Sequence, residues 1–114
     1  MMLPTPLPMP KSESPNVYAP EGAIDLHVSP ELRASLREMI DQKPAHLVID
    51  LSNVPYIDSS GLAVLIGAMQ SMEHQGGAFS LAGAQQTVRT ILESARLDQY
   101  FHLYPTVSEA LAAS

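Results

Sequence analysis

The residues with the most chemical potential form the run Asp58-Ser59-Ser60-Gly61, which heads a stretch where Leu62, Leu65, Ile66 and Met69 recur at helical spacing. Two hydroxyls at the start of a helix sit at its positive end, among amide donors with no intrahelical partner. One reading is an N-cap, in which a serine oxygen accepts from one of those amides. The other is a phosphate acceptor, because the same helix end stabilises an added anion. A phosphoserine there would add about −1.5 to −2 of charge and three acceptor oxygens. The fold would tolerate that charge. A partner surface pressed over the helix start would not, since an unpaired buried charge costs several kcal/mol. Asp25 and His27, ahead of the first helix, would make a hydrolytic triad with a serine only by composition, as no geometry is implied. The four histidines are scattered, with no pair three or four apart on one helix, so no metal site is expected. There is no GxSxG elbow, no phosphate loop ending in Gly-Lys, no GxGxxG and no cysteine. The expectation is a binding protein and not an enzyme, with no cofactor.

The elements that position this run are legible as an alternation of short apolar stretches and helical periods. Residues 1 to 15 carry five of the ten prolines and read as a flexible, polyproline-like arm, leaving residues 16 to 114 as the domain. Val17 to Ala19 and Ala23 to Ile24 are weak strand candidates around Pro20-Glu21-Gly22. Ser29-Pro30-Glu31 reads as cap, first-turn proline and first-turn acid of a helix carrying Leu32, Leu36, Met39 and Ile40 and ending before Pro44. The β-branched run from His46 to Leu51 predicts a central strand covered on both faces. After the helix that follows Ser60, Gly76-Gly77 is a stop and Ala78 to Ala82 is a strand. Val88, Ile91, Leu92 and Ala95 mark a third helix, and Phe101 to Tyr104 a last short strand. Thr106-Val107-Ser108-Glu109 fits a capping box opening a C-terminal helix.

Composition narrows the function classes. The chain has 114 residues, 46% of them hydrophobic, enough for one domain that buries roughly two-thirds of its unfolded surface. Twelve acidic against six basic residues give a formal net charge of −6, which argues against a nucleic-acid partner. The longest stretches without Asp, Glu, Lys or Arg, residues 59 to 72 and 74 to 88, are 14 and 15 residues long, too short to cross a bilayer. The first residues lack the basic start and apolar centre of an export signal, so the expected location is the cytoplasm.

The stretch Leu47-Val48-Ile49-Asp50-Leu51-Ser52-Asn53-Val54-Pro55-Tyr56-Ile57-Asp58-Ser59-Ser60-Gly61-Leu62-Ala63-Val64-Leu65 closely resembles the signature of STAS domains, the anti-sigma factor antagonists. Glu21-Gly22-Ala23-Ile24-Asp25-Leu26 resembles that family's second strand and following loop, and Gly76-Gly77 before an apolar strand also matches. The resemblance spans about residues 17 to 113. It implies a small α/β fold: a sheet of four or five strands in mixed orientation, packed by about four helices, with the first strand short or missing where the Pro-rich arm lies. It also implies that Ser59, with Ser60 as the alternative, accepts phosphate from a partner that is both anti-sigma factor and serine kinase. The unphosphorylated form would capture that partner through Asp25, Asp58, Ser59, Ser60, Gly61 and Leu62 and the helix from Gly61 to Met72, freeing a sigma factor for transcription, and a phosphatase would reset the switch. The family also includes STAS subunits of phospholipid-transport ABC systems and of stress-sensing assemblies, in which the serine would be structural.

Overall fold

Four short apolar runs form strands, and a helix follows each of them, in the order β1 (Pro15–Tyr18), α1 (Ser29–Asp41), β2 (His46–Asp50), α2 (Ser59–His74), β3 (Ala78–Ala82), α3 (Gln86–Ser94), β4 (His102–Tyr104) and α4 (Val107–Ala112). The computed structural model describes residues 15–113. The arm expected over residues 1 to 15 therefore lies outside the described residues, apart from Pro15, which begins β1. The strands lie in the order β1-β2-β3-β4 and all three pairings are parallel. The mixed orientation implied by the family resemblance is not found among the described strands. Each is joined to the next by a helical crossover, and such a connection returns the chain in the same direction.

A sheet that grows one strand at a time in one direction, through crossovers of one hand, places its connecting helices on one face. The core shows this arrangement. Leu32, Leu36 and Ile40 of α1, Val64, Leu65, Met69 and Met72 of α2, and Val88 and Leu92 of α3 share one cluster with Leu47, Ile49, Phe79 and Leu81 of the sheet. The opposite face carries Val48 and Ala82, which pack against Ala110 of α4. Both faces of β2 are thus covered, which is why its sequence is a continuous apolar run and not an alternating one.

Two local expectations are corrected. The segment from Glu21 to Leu26 forms no strand; only Ile24 bridges, to Ile57, and the strand that pairs with β2 is Pro15–Tyr18, which overlaps the candidate at Val17 to Ala19. Ser29 does not cap α1. The N-cap is Val28, without a side-chain bond, and the Ser29 amide donates to the Asp25 carbonyl at 2.9 Å. Proline at the first turn makes a capping side chain less necessary, because it has no amide to satisfy. The expected box at the last helix does form, with Thr106 Oγ1 accepting from the Glu109 amide at 3.1 Å.

His46 is buried at the start of β2, its Nε2 2.7 Å from Ser80 Oγ on β3, while Nδ1 has no hydrogen-bond partner among the described residues. Burial lowers its pKa below the ordinary 6.5, and repulsion from His102 on β4 lowers it further. The folded state therefore binds fewer protons than the unfolded chain in the interval between the two values. The stability tied to the neutral ring is complete above about 6.5 and is lost as pH falls through the lower folded value. We expect the urea midpoint to drop between pH 7.5 and 5.5, and His46→Gln to flatten that drop; parallel profiles for the two proteins would contradict the assignment.

Two glycines of α2 make opposite predictions. A Cβ at Gly61 would lie 2.6 Å from Ile24 Cγ2 and 2.8 Å from Ile57 Cγ2, whereas one at Gly67 would meet nothing within 4 Å. Gly61→Ala should destabilise by about 1–3 kcal/mol through overpacking. Gly67→Ala should stabilise by up to about 1 kcal/mol through helix propensity. Chemical denaturation of the two variants checks both signs.

Candidate functional site

The loops leaving β1 and β2 are zipped together at the carboxyl end of the sheet. The Gly22 amide donates to the Asn53 carbonyl at 2.9 Å, Ile24 to Tyr56 at 2.9 Å, and Asp58 to Ile24 at 3.0 Å. Ile24 and Ile57 point into the core, and Gly61, the third residue of α2, packs on both. Only a residue without a side chain fits there, so the glycine of the motif fixes where α2 begins relative to the two loops.

The cap of α2 is Asp58 and not a serine. Its Oδ1 accepts from the Ser60 amide at 2.9 Å, the Gly61 amide at 3.1 Å and the Ser60 hydroxyl at 2.6 Å. Asp58 has extended backbone (φ −96°, ψ −176°), the conformation that turns a capping carboxylate onto the next two amides. The Ser60 hydroxyl bond is the first cause of a lowered Asp58 pKa, opposed by partial desolvation and reinforced by the amides of Gly61, Ser60 and Leu26. The two serines therefore differ. Ser60 is half-buried with its hydroxyl committed to Asp58, whereas Ser59 is exposed and its hydroxyl makes no hydrogen bond among the described residues.

Asp25 lies one residue beyond the Ile24 bridge, half-buried. Its Oδ1 accepts from the amides of His27 at 3.0 Å and Val28 at 3.2 Å, so this carboxylate shapes its own loop and does not orient a histidine ring. His27 is exposed. Of the other residues singled out in the sequence, Gly61 is buried and Leu62 is half-buried against the core. The sequence reading missed Leu26 and Tyr56, which are 72% and 47% exposed. These loops hold both beside the helix start: Tyr56 precedes Ile57, and the Leu26 amide reaches the Asp58 carboxylate. Large apolar side chains in a turn, outside any helical or strand period, were the available signal. Among the described residues no group of three or more His, Asp or Glu converges as metal ligands.

Because Asp58 serves amide donors and a hydroxyl at once, Asp58→Ala should lower the unfolding temperature by about 5 °C, read by calorimetry. The depressed pKa carries its own sign. Its stabilisation is present above the ordinary 3.8 and is lost as pH falls through the folded value, so the gap in unfolding temperature between wild type and Asp58→Ala should be full at pH 7 and narrow as the pH is taken below 3.8; a constant gap would contradict the assignment.

The profile of the STAS domain family matches residues 7–110. An anti-sigma F factor antagonist of Paenibacillus polymyxa is 29% identical over 91 residues, covering 79% of this chain and 78% of that protein. An anti-sigma-F factor antagonist of Mycobacterium tuberculosis is 31% identical over 90 residues, covering 79% and 73%. The crystal structure of an anti-sigma factor antagonist from Mycobacterium paratuberculosis superposes with a TM-score of 0.81 at 31% identity, covering 88% of this chain and 85% of that one. With its motif serine at the first residue of α2 and its fold shared at this level, the chain belongs to the STAS domain family.

Proposed function

We propose that this protein is an anti-sigma factor antagonist, a binding protein of the cytoplasm switched by phosphorylation of Ser59. The observation that carries the reading is the contrast between the two motif serines: Ser59 offers an exposed, uncommitted hydroxyl, while Ser60 is held by Asp58. In the unphosphorylated form, Asp25, Asp58, Ser59 and Ser60 face an anti-sigma factor that is also a serine kinase, with Leu26 and Tyr56 as apolar anchors at the rim. Gly61 and Leu62 support that surface from beneath. Capture of the anti-sigma factor frees a sigma factor and so regulates transcription. The partner's kinase activity ends the complex. Ser59 Oγ bonds to the γ-phosphorus of ATP, the bond to ADP breaks, and the hydroxyl proton passes to a base on the kinase. A phosphatase restores the hydroxyl by hydrolysis.

The names of the relatives favour this reading over a transporter-associated or stress-assembly subunit with a purely structural serine. So does the cap itself. Asp58 satisfies the helix start, and the Ser59 hydroxyl contributes no bond to the fold among the described residues. Among the same residues no helix is long and apolar enough to cross a membrane.

Incubation with the cognate anti-sigma kinase and ATP, followed by intact mass, tests the acceptor. Wild type and Ser60→Ala should each gain one phosphate and Ser59→Ala none; equal labelling of wild type and Ser59→Ala would overturn the assignment. Ser59→Asp should weaken binding of the anti-sigma factor at least about tenfold. Its unfolding temperature should stay close to that of wild type, because the position has no role in the cap.

A further inference from the structure

We propose that Asp58 decides which of the two adjacent serines takes the phosphate: its carboxylate masks the Ser60 hydroxyl and leaves Ser59 as the acceptor. That role rests on the reading of Ser59 as the phosphorylated residue, and it makes Ser60 a latent second acceptor. Residue type does not choose between the two, since they are the first and second residues of α2 and the same primary alcohol. Nor does burial withdraw Ser60, which is only half-buried. What separates them is the 2.6 Å bond from Ser60 Oγ to Asp58 Oδ1. Asp58 has extended backbone (φ −96°, ψ −176°), which turns its carboxylate past the first residue of the helix and onto the second and third. Ser59 is thereby left out: its hydroxyl makes no hydrogen bond among the described residues.

The accepting atom is itself fixed. The amides of Ser60 at 2.9 Å and Gly61 at 3.1 Å hold Oδ1 against the helix start, so the carboxylate cannot follow the Ser60 hydroxyl as it turns toward a kinase. The hydroxyl must first give up a charge-assisted bond, and such bonds are about twice as strong as neutral ones. Breaking one lowers the population of free hydroxyl roughly ten- to a hundredfold, and transfer to Ser60 falls by the same factor. Asp58 does not instead serve as a base that activates Ser60. The Ser60 hydroxyl bond, with the amides of Gly61, Ser60 and Leu26, holds its carboxyl below the ordinary 3.8 against partial desolvation, which leaves too weak a base to draw the proton from an alcohol. Ser59 has no bond to break before it reacts.

The test incubates the full chain and its variants with the cognate anti-sigma kinase and ATP, and locates each phosphate by tandem mass spectrometry. At Ser60, as at Ser59, a bond forms between Oγ and the γ-phosphorus, the bond to ADP breaks, and the hydroxyl proton passes to a base on the kinase. Ser59→Ala should take no phosphate in the time that wild type needs to saturate. Adding Asp58→Gly should unmask Ser60 and raise its labelling rate at least about tenfold above that of Ser59→Ala alone. Glycine removes the carboxylate with little loss at an N-cap, and circular dichroism checks that the chain stays folded. Adding Asp58→Asn in its place keeps the cap but offers a neutral acceptor, so its Ser60 rate should fall between the two. Asp58→Gly alone should give phosphate on both serines where wild type gives it on Ser59 only, a change of site that a merely weakened helix start would not produce. A Ser60 rate in the folded Ser59→Ala/Asp58→Gly chain no higher than in Ser59→Ala would overturn the proposal. If that chain is unfolded, equal Ser60 rates in Ser59→Ala and Ser59→Ala/Asp58→Asn would overturn it. Wild type labelled at a residue other than Ser59 would overturn the functional reading, whereas label at Ser59 with Ser60 silent in both double variants removes only the role given to Asp58.

Discussion

One carboxylate oxygen holds the functional end of this molecule together. Asp58 Oδ1 accepts two backbone amides and one hydroxyl, all within 3.1 Å, and its own amide is donated to Ile24 in the neighbouring loop. The same residue therefore closes the start of α2 and ties the β2–α2 loop to the β1–α1 loop. Charge-assisted bonds of this kind are roughly twice as strong as neutral ones, and they let a four-residue motif set both the helix origin and its orientation. Gly61 completes the constraint from below, because Ile24 and Ile57 occupy the space its side chain would need. The outcome is a pedestal that presents the uncommitted Ser59 hydroxyl.

The sheet explains why that pedestal stands where it does. Parallel strands whose crossovers all lie on one face present their outgoing loops together at the carboxyl ends, the usual place for a site in such folds. The loop after β1 and the loop after β2 can bond to each other because β1 and β2 are neighbours in register, Tyr18 opposite Ile49. Concentrating α1, α2 and α3 on one face leaves the other to the short α4. On that side Val17, in register with the fully buried Val48, stays 42% exposed.

Much of this was legible in the sequence wherever a pattern is local. The apolar run of β2, the 3-4-7 spacing of α1 to α3 and the Thr106 cap each declare themselves within about a dozen residues. The family resemblance added an α/β plan of four or five strands with the first short or missing, and the fold has four with a short first one; the mixed orientation it implied gave way to an all-parallel sheet, and the shared relatives support the antagonist reading. What the sequence did not declare was non-local. Asp58 and the two serines are all reasonable caps by residue type, and only the extended backbone at Asp58 decides among them. Ser29 looked like a cap for the same reason, and Asp25, four residues earlier, holds that helix start instead. The strand expected near Ala23 is a single bridge because its partner segment lies more than thirty residues downstream. Leu26 and Tyr56 became visible as a pair only when the two loops met.

The division of labour between Asp58 and Ser59 also determines what a phosphate could do here. The amides that would otherwise turn toward an anion at the helix start, those of Ser60 and Gly61, are already held by Asp58. A phosphate on Ser59 would find only the amide of Ser59 itself without a partner among the described residues and a carboxylate beside it, so it would remain in water and leave the fold as it is. Its charge would then act only on whatever is pressed against the surface. There the comparison of magnitudes is one-sided: in solvent the group is screened within about 8 Å at physiological ionic strength, whereas beneath a partner it is stripped of water and unpaired at a cost of several kcal/mol. Ser59 also heads an exposed stripe of α2 that continues through Ala63 and Gly67, so a partner laid along that helix would have to pass the phosphate. A modification that scarcely alters the folded chain can for that reason act as an all-or-none control on what binds it.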